Sequence, residues 1–228
     1  MNNIQALFEV WLYCQTKLEK TLRWSKYIEC EKNEELVNCN SIRKQNVAQH
    51  TLSKLLVFSM ILPALKKIFS DLVNFELLFS CIVYHDFGEG LRDQKYDILS
   101  TDKKNSHDVE EWRLICGFLE ENGLKYTKIF ADFEKAFLLQ FILTSHGSFP
   151  TGARAIMMLM RENVVEKNTA ILFQIIEKWE YHFYAYENRK KHSTIWQDVY
   201  MNQKEVIYKW IHMYEPKFHI PLESLFVI

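Results

Sequence analysis

Arg154–Glu215 reads RAIMMLMRENVVEKNTAILFQIIEKWEYHFYAYENRKKHSTIWQDVYMNQKEVIYKWIHMYE, a run without a single glycine or proline. Strands turn back after about five to eight residues, and their turns draw on glycine and proline. This run has none to offer. Its apolar residues recur at three- and four-residue intervals, the period of an α-helix. The spacing predicts helices over about Arg154–Glu166, Thr169–Lys191 and Trp196–Tyr214, with Pro216 and Pro221 marking an irregular tail. The whole chain agrees: six glycines and four prolines in 228 residues, with no glycine before Gly88, against a usual combined share of about 12%. An α/β fold or a β-sandwich needs more turn residues than that.

Upstream, the same period predicts helices over about Ala131–Ser145, Asp108–Asn122 and Phe75–Tyr84. Another runs from Asn46, a suitable N-cap, to near Pro63 or just past it. Ile4, Leu7, Phe8, Trp11, Leu12, Leu18 and Leu22 outline an opening amphipathic helix. Glu29–Arg43 reads as a polar loop, and Gly88 and Gly90 are expected to end the helix that carries His85 and Asp86. The polar stretch Gly90–Asn105, long for a connection in a compact domain, has the length of a functional loop. With 48% apolar and 14% aromatic residues there is material for a large core. The expectation is all-α: a single helical bundle over residues 1–228, with no repeat and no domain boundary.

Several chemistries are excluded. No G-x-G-x-x-G dinucleotide fingerprint exists, and Gly147–Gly152 has phosphate-loop spacing but Ala153 and Arg154 where lysine and Ser/Thr are required. Five cysteines (14, 30, 39, 81, 116) form no C-x-x-C pair, which suits reduced thiols in the cytoplasm. The N-terminus lacks a basic region followed by an apolar run, and Leu52–Leu65 is too short and too charged, at Lys54, to span a membrane. A net charge of −1 gives no pull towards nucleic acid.

Against this background a few polar residues stand out. His85 and Asp86 are adjacent at a predicted helix end, and His50 lies in the first turns of the preceding helix, flanked by Val47, Leu52 and Leu55. Two helices joined by a turn can bring these three side chains together inside a bundle. Imidazole and carboxylate together suit Mn, Fe, Co, Ni, Zn or Mg. Glu177 follows the apolar run Ala170–Phe173, and a buried carboxylate is rare unless paired or bound to a cation. Glu180, one turn later, is the alternative inward group, because helix phase is not fixed by sequence. His146, before Gly147, is a candidate ligand for a second metal, whereas His107 reads as solvated. The aromatic-rich stretch Trp179–Tyr186 reads as core packing.

Over about Thr21–Lys191 the chain resembles the HD-domain metal-dependent phosphohydrolases. Asn46-Val-Ala-Gln-His-Thr51 is similar to the family's V-A-E-H-S/T segment, with Gln49 in the glutamate position. Val83-Tyr-His-Asp-Phe-Gly-Glu89 is similar to its H-D-x-x-E signature. Ile175–Glu187 is similar to the late helix that supplies an aspartate as fourth ligand, a position held here by Glu177. With Arg23-Trp24 and Arg43 ahead of these motifs, the branch most resembled is that of the 5′-deoxynucleotidases. The resemblance implies an HD-type helical core over about residues 21–191 with a helical extension over 192–228. It implies one divalent metal ion held by His50, His85, Asp86 and Glu177, with Glu89 as general acid/base. It further implies that Arg23 and Arg43 bind phosphate, Trp24 the nucleoside and Asp93 the sugar.

The expected function is a nucleotide phosphohydrolase, of 5′-nucleotidase or dNTP-phosphohydrolase type, in which metal-activated water attacks a phosphate. Its partner is then a small nucleotide, with a homodimer also compatible. Two alternatives stay open. One is a nucleotide-sensing module on the same fold without turnover. The other is a dinuclear hydrolase or oxygenase that uses His146.

Overall fold

The computed structural model describes residues 12–13, 15–21, 23, 45–92, 105–144, 148–189 and 194–218. Among the described residues the fold is all-α, with no strand. Helix α1 (Val47–Phe69) starts on a capping box: Asn46 Oδ1 accepts from the Gln49 amide at 2.8 Å, and Gln49 Oε1 accepts from the Asn46 amide at 3.1 Å. The glutamine at this position therefore closes the helix start from an exposed site. Val47, His50, Lys54, Phe58, Leu65 and Phe69 are buried along one face. The helix runs through Pro63, further than its sequence suggests. Leu65 and Phe69, both fully buried, anchor the turns beyond the proline and outweigh one lost backbone hydrogen bond.

A 3₁₀ turn (Ser70–Leu72) leads to α2 (Phe75–Tyr84), which Asn74 caps by accepting from the Leu77 amide. The next segment corrects the sequence reading. Gly88 and Gly90 do not end a helix; they lie inside a short one, α3 (Phe87–Leu91). A Cβ at Gly88 would overlap the Glu111 side chain, and one at Gly90 would come within 2.9 Å of Leu18. The glycines serve close packing and do not serve a turn.

Helices α4 (Asn105–Glu121), α5 (Lys128–Leu139) and α6 (Thr151–Glu162) follow. Helix α7 (Val164–Arg189) runs through the middle, against α1, α2, α6 and the 3₁₀ turn, and α8 (Thr194–Phe218) packs along it. Helix α8 continues past Pro216 to Phe218. One core connects Leu18 and Val47 to Ile211 and Tyr214 through the α5 and α7 side chains. No helix among the described residues is long and apolar enough to cross a membrane.

A second, aromatic cluster joins Tyr181, Tyr184 and Ala185 of α7 to Trp196 and Val199 of α8. Beside it, His182 directs Nδ1 at the Tyr200 carbonyl, 3.4 Å away, with the two rings 4.3 Å apart. Burial lowers the His182 pKa to about 4. Between about 4 and 6.5 the unfolded chain therefore binds a proton that the folded chain refuses. Stability from this site is whole above about pH 6.5 and is lost as the pH falls towards 4. His182→Phe should flatten that acid loss by about 1–2 kcal/mol. Thermal unfolding followed from neutral to mildly acidic pH would reveal this, and an unchanged acid slope would contradict it.

Candidate metal centre

The fold brings four of the residues singled out in the sequence to one buried spot. His50 is on α1, His85 caps the C-terminus of α2, Asp86 starts α3, and Glu177 projects from α7. Backbone contacts fix the turn between α2 and α3. The His85 amide donates to the Cys81 carbonyl at 2.9 Å, and Gln140 Nε2, at the end of α5, donates to the His85 carbonyl at 3.1 Å.

The His85 imidazole is oriented by an acceptor on its outer nitrogen, and His50 has a carboxylate close to its own. His85 Nδ1 donates to the Ile82 carbonyl at 2.9 Å, and His50 Nδ1 lies 2.7 Å from Glu180 Oε2. Both Nε2 atoms face inward, 2.8 Å (His85) and 3.5 Å (His50) from Asp86 Oδ2. With its proton on Nδ1, a neutral imidazole carries a lone pair on Nε2. In that state the His85 lone pair faces the Asp86 carboxylate oxygen, with Lys54 Nζ against the former and 3.7 Å from the latter. His50 Nδ1, His50 Nε2, Asp86 Oδ2 and Glu180 Oε2 are all buried and make no hydrogen bond. Facing acceptors repel unless a cation lies among them. The donor atoms of His50, His85 and Asp86 all lie within 4.8 Å of one another. Two imidazole nitrogens and a carboxylate suit Zn, Mn, Fe, Co or Ni, so the residues fit a divalent metal.

The two candidate glutamates separate by role. Glu177 Oε2 is 3.4 Å from His85 Nε2 and faces the cluster. Glu180, one turn on, supports His50 from behind and accepts from Gln45 Nε2 at 2.9 Å. A carboxylate behind a ligating histidine is the usual second partner in metal sites. Burial raises the Glu180 carboxyl above its ordinary range. Burial acts the same way on Glu177, but the Lys54 ammonium and His85 outweigh it and hold that carboxyl down at about 2. Asp86 is likewise held well below the usual range, with His85, Lys54 and Arg23 overcoming its burial.

Lys54 is a site residue that the motif reading passed over. Fully buried, its Nζ contacts both His85 Nε2 and Glu177 Oε2 and lies 3.7 Å from Asp86 Oδ2. It sits one turn after His50 on the buried face of α1. Tyr181 is another. Its ring stacks on His50 with centroids 5.3 Å apart, and its hydroxyl accepts from Arg23 Nη2 at 2.8 Å. Of the aromatic residues in Trp179–Tyr186, Tyr181 and Tyr184 are buried while Phe183 is exposed, and Tyr181 also lines the site.

Arg23 reaches the cluster because Thr21 and Arg23 pair with Val47 and Gln45: the Arg23 amide donates to the Gln45 carbonyl at 2.9 Å and the Val47 amide to the Thr21 carbonyl at 3.0 Å. Its guanidinium is buried, with Nη1 3.9 Å from Asp86 Oδ2. Glu89 is buried on α3, one turn past Asp86. Trp24, Arg43, Asp93 and His146 lie outside the described residues. His107 is half-buried in the first turn of α4. Comparison with known proteins adds no relative to this geometry: no protein-family model, no curated protein and no solved structure matches the chain.

Proposed function

We propose that this chain is a metal-dependent phosphohydrolase acting on nucleotides in the cytoplasm. One observation carries the reading: His50 Nε2, His85 Nε2 and Asp86 Oδ2 come together at one buried spot, their donor atoms all within 4.8 Å of one another. His50, His85 and Asp86 would hold the metal, with Glu177 beside His85. A divalent cation supplies Lewis acidity to a phosphate oxygen and lowers the pKa of a bound water. Arg23 brings a guanidinium to the same spot, where it can bind phosphate oxygens bidentately. Glu89, on the short helix that Asp86 precedes, would take the proton of the attacking water and pass it to the leaving oxygen. The nucleotide as substrate rests on the likeness of the Asn46–Thr51 and Val83–Glu89 segments to HD-domain enzymes.

The test is phosphate release from a panel of nucleotides with added Mn, Co or Mg, together with the metal content of the purified chain. Glu89→Gln should keep the metal and lower kcat by about 10²–10⁴, the usual contribution of a positioned acid/base. An unchanged kcat would remove Glu89 from the reaction. A second reading, a nucleotide-sensing module without turnover, is favoured by the Lys54 ammonium seated among the donors. It predicts saturable nucleotide binding, read by calorimetry, with no phosphate release under any of these metals.

A further inference from the structure

Lys54 Nζ stands where a cation would stand. It contacts His85 Nε2 and Glu177 Oε2 and lies 3.7 Å from Asp86 Oδ2, so it meets two of the three residues that could hold a metal. Its side chain is wholly buried, on the same face of α1 as His50. Its stem comes from the first turns of α1, where the capping box and the Val47–Thr21 hydrogen bond fix the backbone. The ammonium therefore reaches this spot as a built feature of the fold. A buried lysine is rare unless paired, and here its partners are the candidate ligands themselves.

We infer that Lys54 is an intramolecular competitor of the divalent metal, its ammonium filling the cation position among His85, Asp86 and Glu177 until a metal ion displaces it. The inference rests on the metal reading above and deepens it. Two cations cannot share one set of donors: an ammonium in contact with His85 Nε2 uses the lone pair that a metal needs, and its charge repels the ion at short range. Metal binding then has to break the Lys54–Glu177 pair and move the ammonium out. Net affinity is lowered by the free energy of that displacement, and the site is held together when no metal is present. Lys54 is a positioning residue, since it acts on the metal's ligands.

The experiment is calorimetric titration of the full chain with Mn²⁺ alone, comparing the native protein with Lys54→Met. Methionine keeps the length of the arm and removes the charge. The inference expects Lys54→Met to bind Mn²⁺ at least about tenfold more tightly, since one lost like-charge contact in a buried site exceeds about 1.4 kcal/mol, a factor of ten. Its unfolding temperature should also rise more on metal addition than that of the native chain. If Lys54→Met alone does not fold because Glu177 is left unpaired, the pair of charges is removed together. Lys54→Met with Glu177→Gln is then compared with Glu177→Gln, and the former should again bind at least about tenfold more tightly. Equal affinities, or a weaker lysine-free protein, overturn the inference while leaving the metal site standing. No Mn²⁺ binding by any of these proteins overturns the inference and the metal reading together.

Discussion

Under the proposed function, His85→Ala is expected to abolish divalent-metal binding and to lower phosphate release from a nucleotide by about 10³-fold or more. His85 offers the Nε2 atom nearest to Asp86, at 2.8 Å, and lies 3.4 Å from Glu177 Oε2. A metal contributes several kcal/mol to phosphate cleavage, and each ~1.4 kcal/mol is a factor of ten in rate. Asp86→Ala should do the same, because its carboxylate oxygen is the atom on which both imidazoles converge. The fold should persist in both variants, since α2 is held by its Asn74 cap and by Leu77, Leu78, Cys81 and Ile82 in the core. Glu180 lies behind the site, 2.7 Å from His50 Nδ1, and Glu180→Gln makes the graded comparison: about 10–100-fold weaker metal binding without abolition. Metal analysis of the purified variants, with their helicity as control, tests the set. Stoichiometric metal in His85→Ala or Asp86→Ala would mean that these are not the ligands.

Glu177→Ala has the largest expected effect on stability. Lys54 is wholly buried, and Glu177 is its closest opposite charge. Removing one partner of a buried pair leaves a charge in a medium that cannot solvate it, at a cost of about 3–5 kcal/mol. Asp86, 3.7 Å from Nζ, keeps some compensation, so the lower end of that range is expected. The measurement is urea unfolding of metal-free protein. Joint replacement, Lys54→Met with Glu177→Gln, should recover most of the loss, because no charge is then stranded. The pH dependence has a definite sign. Glu177 is held at about 2 in the fold, against an ordinary value of 4.5. Its contribution is therefore whole above about pH 4.5 and drains away as the pH falls towards 2. The joint variant should lack that part of the acid loss. A Glu177→Ala protein as stable as the native one would show that Lys54 has another counter-charge.

Much of the architecture was legible in the residues. A run such as Arg154–Glu215, with no glycine or proline, has few ways to fold other than as helices, and the core follows its apolar period. The ends of elements were less legible. Pro63 looks like a terminus, yet burial of Leu65 and Phe69 carries α1 past it; Gly88 and Gly90 look like a turn, yet they make room for Glu111 and Leu18. Those outcomes depend on neighbours distant in the chain.

The candidate site divides in the same way. Composition and spacing alone settle that the chain builds helices and that His50 and the His85–Asp86 pair sit on two successive helix ends. Lys54 was also readable, since it follows His50 by four residues on a face otherwise made of Val47, Phe58, Leu65 and Phe69. Its meaning was not, because a lysine on an apolar face becomes informative only when its partner is known. Glu177 and Glu180 differ by less than one helical turn, and a sequence does not report the rotation of α7 about its axis. Packing against α1, α2 and α8 sets that rotation, turning Glu177 to His85 and Lys54 and Glu180 to the far side of His50. Arg23 enters the site through two backbone hydrogen bonds to a segment more than twenty positions away. Periodicity is a local property of the chain and can be read along it. The meeting of charges from α1, α2, α3 and α7 is a product of the three-dimensional packing, which alone brings side chains remote in sequence within bonding distance.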